Sequence, residues 1–196
     1  MKPAKEASVE LPTTEQIEKE RARLRHKSRY SRTLRSTIAI LIVVAAVAVL
    51  VATLWMPVLR IYGSSMAPTL DDGQIVISLK TTDFKTGDIA AFYYGNKLLV
   101  KRYIAGASDW VYIDEDGTVS VNSIELDEPY LAEKALGQTD IELPYQVPDK
   151  RYFLMGDNRE SSVDSRNTAV GCASDDQIVG KVVYCIWPLD RFGPVR

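Results

Sequence analysis

The chain has 196 residues, enough for one ordinary domain and an added anchor segment. Its formal net charge is −2, but the charge is unevenly distributed: residues 1–59 carry a net charge of +5 and residues 60–196 a net charge of −7. The acidic part is expected to repel the phosphate backbone of nucleic acids. The single histidine, His26, lies in the basic part, which excludes a Ser-His-Asp or Cys-His hydrolase built within residues 60–196.

The chain begins with a basic tail, residues 1–35. Residues 2–12 are polar and are predicted to be disordered. Thr13 and Gln16 have the spacing of a weak capping box, which favours a solvated helix over residues 14–29. We interpret this tail as a charged stem on the cytoplasmic side of a membrane.

Residues 36–59 are predicted to be a transmembrane signal anchor. No charged residue lies between Arg35 and Arg60, and about 20 predominantly apolar residues in a helix span a bilayer core of about 30 Å. A buried core helix is rarely apolar on every face, which argues against that alternative. A cleaved signal peptide would have a shorter apolar region followed by small residues, whereas this run is longer and ends in bulky residues.

The charges that flank this segment predict its orientation. Seven basic residues precede it within residues 21–35, whereas Arg60 stands alone on the other side. The positive-inside rule therefore places the N-terminus in the cytoplasm and residues 60–196 outside the cell membrane. Trp55 and Tyr62 suit the outer membrane interface. The sequence thus predicts a single-pass membrane protein with an extracytoplasmic domain.

Residues 60–196 have the pattern of an all-β domain, because short apolar runs recur between Asp-Gly and Gly-Asn turn signals. Strands are predicted over residues 74–79, 89–94, 98–104, 110–113, 118–121, 151–155 and 178–186. A short helix or loop is expected over residues 128–137, and an extended, proline-punctuated segment over residues 138–148. The predicted fold class is mainly β, mounted on a single N-terminal transmembrane helix.

The cysteines give no sign of a metal site. Cys172 and Cys185 form neither a CxxC pair nor a Cys/His cluster. Their spacing leaves open whether they pair in an oxidising compartment or remain buried free thiols. The sequence predicts neither a metal nor a cofactor.

Two segments could together supply a nucleophile and a base. In residues 61–70, small residues and proline predict a turn with an exposed serine hydroxyl, although most serines in such turns are structural. In the predicted strand 98–104, alternation places Lys101 and Arg102 on opposite faces, so one of them points to the more buried face. A buried, unpaired lysine has a lowered pKa, and its neutral amine can take the proton of a serine hydroxyl. The alternative is a lysine whose stem lies on apolar surface with its head in water.

A third segment, residues 156–166, holds two Asp, two Arg and three Ser. A surface loop does not need this density of polar residues, whereas a buried hydrogen-bonded network does, because Arg–carboxylate pairs fix geometry. The two arginines argue against a cation site. This segment is therefore predicted to support a site and not to bind a metal.

Together these segments resemble the bacterial type I signal peptidases, serine proteases with a Ser–Lys dyad. Gly-Ser-Ser-Met-Ala-Pro-Thr-Leu at 63–70 is similar to the family's nucleophile box, and Gly-Asp-Ile-Ala-Ala-Phe at 87–92 to the strand box that follows. Lys-Arg at 101–102 resembles the box that carries the general base. Gly-Asp-Asn-Arg at 156–159, with residues 162–166, resembles the GDNR…S-x-DSR box. Each box is weak alone, but four in the family's order are specific.

The resemblance implies a role for each matching residue. Ser65, directly before Met66, would be the nucleophile, and Ser64 would not. Lys101 would be the general base and then the general acid to the leaving amine, and Ser162 would hydrogen-bond its ammonium group. Asp164 and Arg166 would form a structural pair behind the site, and Asp157 and Arg159 would support the same loop.

The expected oxyanion site shows one departure from part of the family. The backbone N–H of Ser65 would hold the oxyanion, and Met66 would lie near the bound substrate. Some members carry a serine two residues before the nucleophile, a side-chain donor worth about 3 kcal/mol, whereas this chain has Gly63. Glycine there, like the short stretch between Lys101 and Gly156, resembles the members from Gram-positive bacteria.

The resemblance also implies the substrates and partners. The family cleaves secretory preproteins after small residues at positions −1 and −3, and the substrate is expected to add as an extended strand. Its partners would be preproteins and the lipid bilayer, close to the secretion translocase, with no nucleic acid. Two alternatives were weighed. A Ser–Lys self-cleaving regulator conflicts with the membrane segment and acidic domain, and a non-catalytic anchored homologue that binds exported proteins conflicts with the presence of both Ser65 and Lys101.

Overall fold

The N-terminal part of the structure, a computed structural model that describes residues 13–195, is one long helix. Helix α1 covers Thr14–Trp55. It begins where the Gln16 side chain accepts a hydrogen bond from the backbone N–H of Thr13 (3.0 Å), which is one half of the predicted capping box. The helix expected over residues 14–29 is therefore present but continues without a break. Residues 2–12, predicted to be disordered, lie outside the described part of the chain.

The second half of this helix has the length and composition of a membrane span. The segment Thr33–Trp55 has 23 residues and a mean hydropathy of 3.0, and none of its apolar window is buried. Within residues 13–195 it is the one helix long and apolar enough to cross a bilayer core of about 30 Å. An apolar window without buried residues, within the described part of the chain, is consistent with a lipid environment.

From Ala52 onward the chain forms a second compact unit, which is built from β-strands. The strands are β1 Val58–Arg60, β2 Ile75–Leu79, β3 Ile89–Tyr94, β4 Lys97–Ala105, β5 Trp110–Ile113, β6 Val119–Val121, β7 Ile124–Glu125, β8 Tyr145–Gln146, β9 Arg151–Met155, β10 Ala173–Ser174, β11 Ile178–Trp187 and β12 Gly193–Pro194. Short 3₁₀ turns cover Asp175–Gln177 and Leu189–Arg191. The predicted mainly β fold is confirmed.

All seven predicted strands are present, three of them with the predicted bounds. The expected helix or loop over residues 128–137 is an irregular segment, and the expected extended segment over residues 138–148 contains only the two-residue strand β8. The strands that the sequence did not predict have two or three residues each. Such short strands carry no alternation that a pattern could reveal.

Strand β4, which carries Lys101, lies inside the larger of two sheets. That sheet has the strand order β1-β2-β11-β3-β4-β9-β10, with β12 added beside β11, and the smaller sheet has the order β7-β6-β5-β8. Every neighbouring pair is antiparallel, and Lys101 lies opposite Ala90 of β3. An interior strand has both edges paired, so its side chains are held in a fixed register.

Alternation predicted that one of Lys101 and Arg102 would point to the more buried face, and in the structure both side chains are buried. Their exposed fractions are 3% and 1%. The neighbouring side chains Leu99 and Val100, on opposite faces of the strand, pack against two different hydrophobic clusters. Because both faces of β4 are covered, both basic side chains need partners within the protein.

The two cysteines are free and buried. Cys185 belongs to a hydrophobic cluster with Leu59, Met66 and Val76, whereas Cys172 belongs to another with Phe153. The two thiols thus pack as small apolar groups in separate parts of the core. Of the two alternatives that the sequence left open, the structure has the free thiols.

Candidate active site

Ser65 lies in the turn that joins β1 to β2. Gly63 has φ +82°, and its N–H donates to the Asp72 carboxylate at 2.7 Å. This left-handed backbone favours glycine and disfavours the serine that some relatives carry, so the local fold of this turn accounts for the residue. Ser64 is exposed, Ser65 is half-buried and Met66 is buried.

The polar groups of Ser65 are arranged as a nucleophile and an oxyanion donor require. Its carbonyl oxygen accepts a hydrogen bond from the N–H of Asn158 (3.0 Å), which ties the turn to the loop after β9. Within the described part of the chain, neither its N–H nor its hydroxyl makes a hydrogen bond. The hydroxyl is thus free to react, and the N–H is free to bind a negative oxygen.

A small pocket lies beside Ser65. Its lining combines Ile61, Met66 and the apolar residues 98–100 of β4 with the more polar residues Arg60, Tyr62 and Ser65. Met66, with 2% of its surface exposed, is a core residue that also lines this pocket. The predicted contact between Met66 and substrate therefore stays a prediction, with the pocket as the place where it would occur.

Lys101 has the environment of a lysine that can lose its proton near neutral pH. Its Nζ donates to the Ser162 hydroxyl oxygen at 2.8 Å, and both residues are buried. Burial is the main cause that lowers the pKa of Lys101 from 10.5 to about 8; Asp164 raises the pKa, Arg166 lowers it and Asp157 raises it. The partner of this amine is thus a neutral hydroxyl and not a carboxylate.

Gly156 brings the serine turn next to the lysine. A Cβ atom at this position would lie 2.2 Å from the Ser162 Oγ and 2.5 Å from the Ser65 carbonyl oxygen. The hydroxyl that binds Lys101 and the backbone of Ser65 are therefore close neighbours across one glycine. The Ser65 hydroxyl and Lys101 Nζ are not hydrogen-bonded to each other, a separation common in enzymes without substrate, whose catalytic hydrogen bonds tighten on binding.

Asp164 and Arg166 form a buried pair behind Ser162. The guanidinium contacts both carboxylate oxygens at 2.9 Å, and the Gly156 N–H donates to the same carboxylate at 2.8 Å. Burial raises the pKa of Asp164, but the hydrogen bonds from Arg166, Gly156 and Ser162 outweigh it, so the pKa lies below its usual value. The remaining Arg166 donors reach backbone carbonyls, including that of Leu136 at 2.8 Å. This pair fixes the chain on both sides of Ser162.

Asp157 and Arg159 do not pair with each other, because each binds a residue that sequence reasoning did not assign to the site. Asp157 accepts two hydrogen bonds from Arg102, at 2.7 and 2.6 Å. Arg159 forms a buried pair with Glu128 and donates to the Gly156 carbonyl at 3.1 Å. Both residues hold the loop, as expected, but they hold it against other parts of the chain.

The partners that the sequence reasoning missed lie far away in sequence. Thr69 donates to Asp157 at 2.5 Å, and the Tyr130 ring lies under the Arg102 guanidinium, with 3.7 Å between Cζ and the ring centroid. The one signal for Arg102 was its position beside Lys101. Glu128 and Tyr130 fall in the segment interpreted as a helix or loop, where a charged residue and an aromatic residue suggest an exposed position.

The groups at this site that could react or bind a negative oxygen come from Ser65, Lys101 and the backbone. Within residues 13–195 no group of three or more His, Cys, Asp or Glu side chains is arranged to hold a metal ion. The carboxylates around Lys101 are occupied by arginines. What remains is a serine hydroxyl, a lysine amine and backbone N–H groups, a set suited to nucleophilic attack on a carbonyl.

Comparison with known proteins gives the family. The sequence matches the family described as Signal peptidase, peptidase S26, over residues 34–187. The chain belongs to this family of serine endopeptidases. It is 35% identical over 166 residues to the Signal peptidase I of Bacillus licheniformis, covering 78% of this chain and 88% of that protein. It is 38% identical over 152 residues to the Signal peptidase IB of Staphylococcus aureus strain Mu50, covering 67% and 78%.

A solved structure was also matched, that of a signal peptidase I from Enterococcus faecalis V583. It is 27% identical in sequence and aligns with a TM-score of 0.44, covering 51% of this chain and 97% of that chain. The resemblance that the four sequence boxes indicated is confirmed by the family match and the curated relatives.

Proposed function

We propose that this endopeptidase removes N-terminal signal peptides from secreted preproteins, cutting after small residues at positions −1 and −3. The relatives named Signal peptidase I support the substrate class. One observation supports the chemistry above all others, a buried lysine with a pKa of about 8 that is placed beside the Ser65 turn. Ser65 is the proposed nucleophile and Lys101 the proposed general base.

In the first half of the reaction, the neutral Lys101 amine accepts the proton of the Ser65 hydroxyl as its oxygen attacks the scissile carbonyl carbon. The carbonyl oxygen becomes negative and binds the N–H of Ser65. The Lys101 ammonium then gives its proton to the leaving nitrogen, and the C–N bond breaks. The mature chain leaves with a free amino group, and the signal peptide remains bound to Ser65 as an ester.

In the second half, Lys101 takes a proton from a water molecule that attacks this ester. The ester bond breaks, Ser65 recovers its hydroxyl proton from the lysine, and the signal peptide leaves as a carboxylic acid. Ser162 accepts the hydrogen bond from Nζ throughout, so the lysine stays aimed at the serine. With a pKa of about 8, roughly a tenth of the amine is neutral at pH 7, compared with roughly 1 in 3,000 at a pKa of 10.5.

The proposed membrane topology follows from the helix and its flanking charges. Residues 1–35 form the cytoplasmic tail, residues 36–59 the anchor, and residues 60–196 the extracytoplasmic catalytic domain. The apolar segment Thr33–Trp55 and the basic residues before it support this arrangement. Secreted chains emerge on the outer side, close to the secretion translocase, so a catalytic domain there meets them as they appear.

The small pocket beside Ser65 supports small side chains on the substrate. Met66 and residues 98–100 contribute apolar side chains to its lining. The proposed occupant is the residue at position −1, with the substrate in an extended conformation so that position −3 faces the same side.

The test is cleavage of a secretory preprotein with an Ala-x-Ala site by the full chain in detergent, followed by sequencing of the new N-terminus. We expect Ser65→Ala and Lys101→Ala each to lower kcat at least about 1,000-fold. The matched controls are Ser64→Ala, an exposed serine in the same turn, and Lys97→Ala, an exposed lysine in the same strand. Both controls should retain most of the wild-type rate.

Each part of the proposal has its own contradicting result. Lack of cleavage by the wild type under all detergent and lipid conditions would contradict the substrate class. Equal cleavage by wild type and Lys101→Ala would leave a peptidase but discard Lys101 as the base. Loss of activity in Lys97→Ala with retention in Lys101→Ala would move the base to the other lysine.

A further inference from the structure

The segment Glu128–Pro129–Tyr130 contacts both of the buried arginines that flank the catalytic pair. Glu128 forms an ion pair with Arg159, and both side chains are at most 1% exposed. Tyr130 stacks its ring on the guanidinium of Arg102, at 3.7 Å between Cζ and the ring centroid, and donates its hydroxyl proton to Glu128 at 2.7 Å. Three consecutive residues of an irregular segment thus join two ion pairs.

These two arginines belong to the two parts of the chain that must be kept in register for the base to work. Arg102 follows Lys101 in β4 and binds Asp157 of the loop. Arg159 lies three residues before Ser162, and its Nε and carbonyl oxygen contact Gly156 (3.1 Å) and Arg166 (3.0 Å) within that loop. The hydrogen bond between Lys101 and Ser162 therefore joins a strand and a loop that Glu128 and Tyr130 both clamp.

We propose that Glu128 and Tyr130 are positioning residues for the general base, which hold Arg102 and Arg159 so that the Ser162 hydroxyl stays within hydrogen-bond reach of the Lys101 amine. The inference rests on the proposed roles of Ser65 and Lys101. Neither residue touches the reacting atoms, and both act through the arginines. Aromatic stacking on a desolvated guanidinium and a buried carboxylate partner are both strong, directional constraints.

The charges around Lys101 separate a positional effect from a direct electrostatic one. The charged groups that act on the pKa of Lys101 are Asp164, Arg166 and Asp157, and neither Glu128 nor Arg159 is among them. Loss of Glu128 therefore acts on Lys101 by loosening the loop. Burial is the main cause of the lowered pKa, so access of water to the amine moves the pKa upward, toward 10.5.

The experiment measures kcat and KM on the same preprotein between pH 6 and pH 10 with the full chain in detergent. For Glu128→Gln we expect kcat about 10- to 100-fold below wild type at pH 7, with KM within about threefold, and a loss that shrinks as the pH rises. Tyr130→Leu should show the same pattern more weakly. Tyr130→Phe, which keeps the ring over Arg102, should lie closer to wild type than Tyr130→Leu.

The matched control is Glu125→Gln, the same substitution three residues earlier in an exposed pair with Lys134 (3.5 Å). Its pH profile should coincide with that of wild type. A merely structural role of Glu128 would reduce the rate equally at every pH, because it would lower only the amount of folded enzyme. Thermal unfolding measures the amount of folded enzyme. If Glu128→Gln does not fold, the pH profile of Tyr130→Leu tests the positioning role instead, since that variant leaves the Glu128–Arg159 pair intact.

The outcomes keep this inference apart from the proposed function. In the first outcome, the wild-type rate falls at acidic pH and the rate of Glu128→Gln or Tyr130→Leu falls at the same pH. This result would overturn the positioning role but leave the Ser65–Lys101 dyad intact. A wild-type profile without an acid limb would contradict the dyad itself, whatever the variants do. The proposal is supported if the pH at which the rate falls is higher in both Glu128→Gln and Tyr130→Leu than in wild type, and is unchanged in Glu125→Gln.

Discussion

Replacing Gly156 by alanine tests the arrangement of the site with one methyl group. The added carbon would lie 2.2 Å from the Ser162 Oγ, 2.5 Å from the Ser65 carbonyl oxygen and 2.6 Å from the Ser162 Cβ. Gly156 does not have a left-handed backbone, so alanine brings no conformational strain and the effect is purely steric. Either the backbone of Ser65 or the Ser162 side chain must move.

The size of the effect follows from how little room there is. Ser162 is completely buried, and the Ser65 carbonyl is held by the Asn158 N–H at 3.0 Å, so relief requires a displacement of about 1 Å. Overpacking of this kind costs about 1–3 kcal/mol of stability. A misplacement of about 1 Å within a catalytic constellation costs about 100-fold in rate. We therefore expect kcat to fall about 100-fold while most of the protein stays folded.

The assay is kcat and KM on a preprotein, together with thermal unfolding of the same samples. Gly193→Ala is the matched control, because nothing lies within 4 Å of its added Cβ and its backbone is not left-handed. It should leave kcat within about twofold of wild type. A Gly156→Ala enzyme with kcat within threefold of wild type would refute the placement of Ser65 and Ser162 around this glycine.

Two further predictions follow from the buried charges. First, the lowered pKa of Lys101 predicts that kcat/KM is half-maximal near pH 8 and falls about tenfold for each pH unit below it. The reason is that the protonated amine cannot act as a base. A rate that is flat from pH 5 to pH 9 would contradict this prediction. Second, Asp157→Asn leaves the buried Arg102 without its charge partner and should destabilise the protein by about 3–5 kcal/mol in urea unfolding. The exposed pair of Asp71 and Arg191 (3.3 Å) supplies the comparison, because Asp71→Asn should cost at most about 1 kcal/mol, and equal losses in the two variants would contradict the prediction.

Elements with a local signal could be predicted from the sequence. Strands β3 and β9 have the predicted bounds because their apolar runs end at turn residues, and turn chemistry is set by neighbours in the sequence. The pairing of Asp164 with Arg166, two residues apart, was implied by the resemblance to the family and is present in the structure. The four boxes were informative because they occur in the family's order, and two of them carry the proposed nucleophile and base.

What the sequence could not supply is the pairing between distant segments. Arg159 binds Glu128, 31 residues earlier, and Arg102 binds Asp157, 55 residues later. Sequence reasoning placed Asp157 and Arg159 in one loop but could not name their partners. Nothing in a single sequence shows which charged residue a distant segment brings close. The burial of both Lys101 and Arg102 was missed for a related reason, since strand alternation does not show whether the outer face of the strand is covered.

The pairing of nearby carboxylates with arginines supports the proposed role of Lys101 as the general base. A buried lysine next to a carboxylate would keep its proton, because the opposite charge raises its pKa. In this site each carboxylate close to the lysine is held by an arginine, and the partner left for Lys101 is the neutral hydroxyl of Ser162. These arginine–carboxylate pairs are Arg102 with Asp157 and Arg166 with Asp164. The arginines that pair with Asp157 and Asp164 supply the positive charge that these carboxylates need, while burial remains the main cause of the lowered pKa of Lys101.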